Sequence, residues 1–403
     1  MPMLSDTMID GVRRHKYSCV DTSPLSNYIF HPFWNYIVQY CPRWVAPNML
    51  TIIGFGLTVS NFLMLTFYDW DFKSPYHTPR VIWLLSALLI FVAHTLDIDG
   101  IDGKQARRLG LSSPLGELMD HCCDAWTAAF YPPILFSLFS GQVDPNILFA
   151  CEWIIICGFL LAHWEKSITG VLFLPWSYDL GQMDLYCTVS AFAIVIHSSL
   201  CDFFRWSVQT TIFLFVTTFF TSPSIWANRL PIIQMNVPEL TPYVVHGGFW
   251  LCAIPSSVIN VVVACNKDRT KVPTPGAVVR PFVGTIFVFL ASWIWMTLSP
   301  TRIMEHSPRL FLLCGGTLAA NITCRVILAE VTKTKAPMWC HLMGVYGLVV
   351  FVLCLGLPPT AAAKLEFPCL LALTSLITVA HLLFFGAVVN EMCEIFNIRA
   401  FHV

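Results

Sequence analysis

The sequence predicts an all-α polytopic membrane protein with about ten transmembrane helices and an N-terminal interfacial amphipathic helix. Three observations carry this. Of the 403 residues, 56% are hydrophobic and 12% charged, about half the charge of a soluble domain. The apolar residues arrive in long blocks, and mean hydropathy is +0.67. Ionisable residues gather in one stretch, 99–124, and clustered charge inside a membrane chain is costly and needs a reason.

Taken in order, residues 1–25 are polar and hold Arg13, Arg14 and Lys16. No cleavable leader is visible, so the first span acts as the insertion signal. Residues 28–41 are aromatic, amphipathic and too short to span, which places them at the headgroup zone. A span needs about 20 apolar residues, with a lower limit near 17. The segments that qualify or come close are 49–67, 81–96, 121–139, 147–163, 184–200, 243–265, 276–299, 309–331, 336–357 and 368–390. The second runs into the polar stretch and the third runs out of it. Segment 207–222 is apolar and borderline. With that segment not spanning and the N-terminus cytoplasmic, fifteen of the 23 Lys and Arg residues fall inside and seven outside; Arg325 lies within a span, where snorkelling accounts for it. That bias obeys the positive-inside rule and is lost if 207–222 spans.

The composition excludes some classes. A net charge of −1 with no basic patch argues against nucleic acid as a partner. The sixteen cysteines are scattered, with no Cys-x2-Cys pair, and mid-span Cys behaves as a small hydrophobe. The Asn321-Ile-Thr323 sequon lies inside a span and is discounted. His94 at the end of the second span reads as a core residue.

The polar stretch carries the chemistry. Asp99 and Asp102 are spaced i, i+3, and Asp120 and Asp124 i, i+4, so on helices each pair shares a face. Between them Gly110, Ser112, Ser113 and Pro114 signal a turn. Two helix ends meeting there would bring four carboxylates together, which only a cation or protons can make tolerable. All-oxygen ligands favour Mg2+ or Mn2+, and four carboxylates suit a two-metal site that clamps phosphoryl oxygens. Gly103 and Gly116 remove side chains where something approaches closely. Arg107 is a natural phosphate partner. His121 is the group that titrates near neutrality and suits a general base. Glu117 lines the Asp120 face.

These residues match the CDP-alcohol phosphotransferase signature, Asp-x2-Asp-Gly-x2-Ala-Arg-x8-Gly-x3-Asp-x3-Asp, at every fixed position. Tyr17-Ser-x-Val-Asp-Thr-x-Pro-Leu-Ser26, His31-Pro-Phe-Trp-Asn35, Ala46-Pro-Asn48 and Pro114-Leu-Gly-Glu-Leu118 resemble the eukaryotic choline/ethanolamine branch. His163-Trp-Glu-Lys166 and Leu172-Phe-Leu-Pro-Trp176 resemble its ethanolamine-specific members. The resemblance implies Asp99, Asp102, Asp120 and Asp124 as ligands of two Mg2+ or Mn2+ ions. It implies Asn48, Arg107 and Glu117 as contacts to a CDP-ethanolamine donor, and His121 as the base for a diacylglycerol hydroxyl. Glu165 is a candidate contact to the donor ammonium. A homodimer in the endoplasmic reticulum or Golgi membrane is implied too. A soluble donor and a lipid acceptor put the site at the cytoplasmic end of the bundle. The organisation is then a cytoplasmic segment with the interfacial helix (1–48), a catalytic transmembrane core (49–200), a luminal connection (201–242), the remaining helices (243–390) and a cytoplasmic tail (391–403).

One departure stands out. The segment Thr95-Leu-Asp97-Ile-Asp99-Gly-Ile-Asp102-Gly103 holds two more residues than the family pattern, and two residues rotate a helix face by about 200°. Spacing to Asp102 selects Asp99 as first ligand and leaves Asp97 spare, unless a bulge restores the family register. Three alternatives stay open on sequence alone: a choline or dual-specificity enzyme, an inactive relative, and a transporter. A transporter predicts acidic residues spread through several spans, and here they are concentrated.

Overall fold

The computed structural model describes residues 3–21, 28, 31–73, 77–96, 101–174, 211–230 and 234–403. Its helices of more than 20 residues open where the sequence supplies proline in the first turn, where a missing N–H costs nothing. In chain order the described helices of seven or more residues are α1 (Asp6–Arg13), α2 (His31–Ile37), α3 (Pro47–Tyr68), α4 (Arg80–Leu96), α5 (Asp102–Leu109), α6 (Pro114–Phe136), α7 (Pro145–Thr169), α8 (Thr211–Phe220), α9 (Val237–Lys267), α10 (Pro275–Leu298), α11 (Pro308–Val331), α12 (His341–Gly356) and α13 (Pro359–Phe396). Two three-residue strands pair in parallel, β1 (Cys19–Asp21) with β2 (Leu172–Leu174).

Six of the described helices, α3, α7, α9, α10, α11 and α13, are long and apolar enough to cross a membrane; α4, α8 and α12 are shorter apolar helices. The chain is thus a multi-pass membrane protein of the all-α class. The 23-residue α6 carries the acidic motif in its first half and apolar residues after it. Nine of the ten expected segments overlap described helices, six of which have the length and hydropathy of a span, and 184–200 lies outside the described residues. The borderline 207–222 segment yields the ten-residue α8, whose Thr211 and Phe215 are buried: Tyr131 Oη bonds Thr211 Oγ1 at 2.6 Å, and Phe215 packs on Trp83.

At the centre α6 packs against α3, α7 and α11. α11 is buried along most of its length, which its run of small residues Gly315, Gly316, Ala319 and Ala320 permits. At the end of the bundle away from the aspartates, Arg309 is fully buried. It donates to Asp69 O at 2.7 Å and Ser137 Oγ at 2.7 Å and lies over the Phe72 ring. Its position at a span boundary reads as a loop cation; in the fold it ties three segments together.

The N-terminus departs most from a simple polar tail. Met3 and Leu4 N–H groups donate to the Glu391 carboxylate on α13. Leu4 and Val12 join a core with Leu115, Met119, Val331, Val388 and Met392. At Gly11 a Cβ would lie 1.7 Å from Thr332 O, so only glycine lets α1 seat on the end of α11. Gly11→Ala is therefore expected to undock α1. Limited proteolysis should then cut near Lys16 several times faster than in wild type; an unchanged cutting rate refutes the seating. Helix α2 buries Trp34 and exposes Tyr36, as its amphipathic pattern predicts. His94 packs edge-on to Trp34, in the core role read for it.

Candidate active site

The helix–turn–helix read from the motif is present. α5 ends at Gly110 in the left-handed region, φ 69°, where a side chain would be strained. α6 then starts with Ser113 as N-cap, its Oγ accepting from Gly116 N–H at 3.1 Å, and Pro114 in the first turn. α5 is fixed against the segment leading into α3. Gln105 Nε2 donates to Pro42 O at 3.0 Å, and Arg108 Nη1 to Val38 O at 2.6 Å and Cys41 O at 2.9 Å.

Between α5, the start of α3, the start of α6 and the N-terminal arm lies a cavity of about 600 Å³. Asn48, Asp102, Arg107, Glu117 and Asp120 all line it, together with His15, Tyr17, Thr51 and Lys104. Asp102 is buried; its Oδ2 accepts from Thr51 Oγ1 at 2.9 Å and its Oδ1 from Gly103 N–H at 2.6 Å. Burial pushes its carboxyl up to about 6 against those two bonds. Arg107 is exposed at the rim. Asn48 Nδ2 donates to Ala400 O at 2.9 Å, while its Oδ1 fills the space beside Gly116, 3.4 Å from where a Cβ would sit. Gly116 thus makes room for Asn48.

Two expected residues sit behind this wall. Asp124 is within electrostatic reach of Asp102, and its Oδ1 is buried with no hydrogen-bond partner among the described residues. His121 is buried one position past Asp120, stacked edge-on against His163 at 4.8 Å and tilted to Tyr17 at 6.3 Å. Neither lines the cavity. Asp97 and Asp99 lie outside the described residues. Glu165 faces away: its Oε1 accepts from Asn260 Nδ2 at 2.8 Å, on α9.

Glu117 is held by the protein itself. Its Oε1 meets Lys166 Nζ at 2.6 Å and its Oε2 His15 Nε2 at 2.8 Å. Lys166 also pairs with Glu330 Oε1 at 2.9 Å, and Glu330 Oε2 with His163 Nδ1 at 3.0 Å. Lys166 further lies 5.4 Å from the Tyr17 ring centroid. Four segments of chain so meet in one buried ionic chain beneath the cavity. Reading the motif alone misses His15, Lys166 and Glu330. The signal for two of them was charge at helix ends, Lys166 on α7 and Glu330 on α11.

The donor set fits a hard divalent cation in its chemistry. The carboxylates offer oxygen only, Asp102 and Asp124 repel one another across a buried gap, and no lysine or arginine forms an ion pair with either among the described residues. Among those residues no three His, Cys, Asp or Glu side chains lie together as a ready-made cage, and the remaining motif aspartate, Asp99, is not one of them.

Comparison with known proteins bears on the same residues. The family model described as CDP-alcohol phosphatidyltransferase matches residues 44–222, which include α3, α5 and α6. Ethanolaminephosphotransferase 1 of Mus musculus is 34% identical over 99% of this chain and 94% of its own length, and that of Homo sapiens has the same figures. Cholinephosphotransferase 1 of Danio rerio is 30% identical over 82% of this chain and 79% of its own length. Likeness along nearly the whole chain, with Asp102 and Asp120 of the motif on the wall of the cavity, makes this protein a member of the CDP-alcohol phosphotransferase family.

Proposed function

We propose that the chain transfers phosphoethanolamine from CDP-ethanolamine to diacylglycerol, giving phosphatidylethanolamine and CMP. The observation that carries it is the 34% identity to ethanolaminephosphotransferases over 99% of the chain, where the cholinephosphotransferase match covers 82%. The cavity supports it: a chamber of about 600 Å³ with Asp102, Asp120, Arg107 and Asn48 on its walls suits a nucleoside diphosphate.

Asp99, Asp102, Asp120 and Asp124 would hold two Mg2+ or Mn2+ ions, which when bound neutralise the diphosphate and stabilise the leaving CMP. Arg107 binds a diphosphate oxygen through its planar fork. Asn48 positions the donor where the cavity meets α3. Glu117, fixed by Lys166 and His15, presents a rigid acidic wall. The acceptor hydroxyl oxygen bonds to the phosphorus that carries ethanolamine, and the bond from that phosphorus to the CMP oxygen breaks. The hydroxyl proton passes to His121, whose Nδ1 is bonded by no described residue. Residues 49–200 form the catalytic unit. The site opens to the cytoplasm of an endoplasmic reticulum or Golgi membrane, and the protein acts as a homodimer.

The test is competition of substrates. Purified protein given diacylglycerol, Mg2+ or Mn2+, and CDP-ethanolamine or CDP-choline should show kcat/KM at least about tenfold higher for CDP-ethanolamine, a difference of about 1.4 kcal/mol. Preference for CDP-choline refutes the donor assignment; no CMP release with either refutes the activity.

A further inference from the structure

Arg325 sits on α11 between Asn321 and Val331, roughly 9 Å from the end of the helix by its 1.5 Å rise. An arginine at that depth ordinarily reaches outward to water. This one turns inward: its Nε donates to Asn321 Oδ1 at 3.0 Å, one turn deeper, and its guanidinium lies 4.2 Å from the Phe384 ring centroid on α13. Asn321 is fully buried, and its Nδ2 meets His381 Nδ1 at 3.1 Å. Because Oδ1 accepts from Arg325, Nδ2 donates, so the His381 proton resides on Nε2. Trp126 closes the other side, edge-on to His381 at 4.4 Å.

Two kinds of donor are left over on this seam. Among the described residues no carboxylate pairs with Arg325, and none accepts from its terminal NH2 groups or from His381 Nε2. Arg325 is partly exposed, and Leu382 and Leu383 beside Phe384 are exposed at 52% and 68%. Lipid therefore reaches the place where the guanidinium lies. None of these residues lines the donor cavity.

We propose that the α11–α13 seam at Arg325 and His381 binds the phosphodiester of a membrane glycerophospholipid. A permanent cation at bilayer depth needs an anion, and the described residues offer none. A phosphodiester presents two oxygens that match the guanidinium fork, while its acyl chains lie along Leu382 and Leu383. A neutral diacylglycerol has no charge to offer. The site is separate from the donor cavity and stands whether or not the proposed reaction holds.

Native mass spectrometry of the full chain in mild detergent tests it, in buffer without CDP-alcohol. The probes are phosphatidylethanolamine, diacylglycerol of the same acyl chains, and inorganic phosphate. Wild type should retain phosphatidylethanolamine, Arg325→Gln about tenfold less, and Arg325→Lys an intermediate amount. Inorganic phosphate should not displace the lipid. Asp120→Asn should bind the phospholipid as wild type does, which separates this site from the reaction. Equal phospholipid retention by wild type and Arg325→Gln overturns the proposal. So does an equal loss of diacylglycerol, which would make the seam an apolar lipid groove, and so does displacement by phosphate, which would make it a site for a soluble anion. Should Arg325→Gln fail to fold, Arg325→Lys retaining as much as wild type, or wild type holding the phospholipid no better than diacylglycerol, overturns it equally.

Discussion

Asp102→Asn should lower CMP release by about two to three orders of magnitude, the scale on which a single preorganised electrostatic contact to the reacting groups is lost. The side chain is locked in place by α3 and α5 together: Thr51 Oγ1 donates to one oxygen and the Gly103 N–H to the other. Asparagine keeps the volume and nearly all the packing, so the change removes charge rather than shape. Burial already disfavours the carboxylate, pushing its pKa up to about 6, and a bound cation or a proton relieves that cost. Titrating Mg2+ or Mn2+ into the variant should then show a much higher concentration for half-maximal activity. Thr51→Val is the companion measurement. It removes one bond to a charged group, worth about 1.5–3 kcal/mol, and should raise the metal requirement while leaving activity recoverable at high metal. If Asp102→Asn releases CMP at the wild-type rate, α5 does not form a wall of the reaction site.

The local parts of this site were legible because they obey local chemistry. Gly110 at positive φ, Ser113 at the cap and Pro114 in the first turn set the break between α5 and α6 within a few residues of sequence. Helical spacing put Glu117 on the face of Asp120, and both line the cavity, while Asp124, spaced to share that face, sits behind the wall and Asp99, the face partner read for Asp102, lies outside the described residues. What the sequence hid were contacts between distant segments. His15 reaches Glu117 across 102 positions, and Glu330 reaches His163 across 167. No periodicity encodes such meetings; the first arises because α1 docks in the cleft between α6, α11 and α13, the second because α11 packs on α7. Charge at helix ends was ambiguous for the same reason. Lys166, Arg309 and Arg325 all read as boundary cations, yet Lys166 is a buried bridge, Arg309 a tie at the far end, and Arg325 turns back into the bundle. A hydropathy profile records where a charge falls along a helix, not which neighbour it faces.

Lys166→Met should destabilise the protein by about 3–5 kcal/mol, the cost typical of removing one partner from a buried ion pair. Lys166 is 3% exposed and lies 2.6 Å from Glu117 and 2.9 Å from Glu330. Methionine fills much of the volume but leaves two carboxylates buried with only His15 and His163 beside them. The thermal midpoint of the detergent-solubilised protein should drop well below that of Lys364→Met, a change at an exposed position of α13. Adding Glu117→Gln and Glu330→Gln to Lys166→Met removes the uncompensated charge and should recover most of the midpoint, since a buried pair replaced whole is often near neutral. Activity separates structure from function in that triple variant. If Glu117 serves only as a strut, the recovered fold should also recover CMP release. If Glu117 contacts the donor, stability returns and kcat/KM for CDP-ethanolamine stays low. A midpoint for Lys166→Met equal to that of Lys364→Met would mean that the chain from His15 to His163 contributes nothing to stability, and that the arm bearing His15 and Tyr17 is held to the cavity by α1 and the β1–β2 pairing.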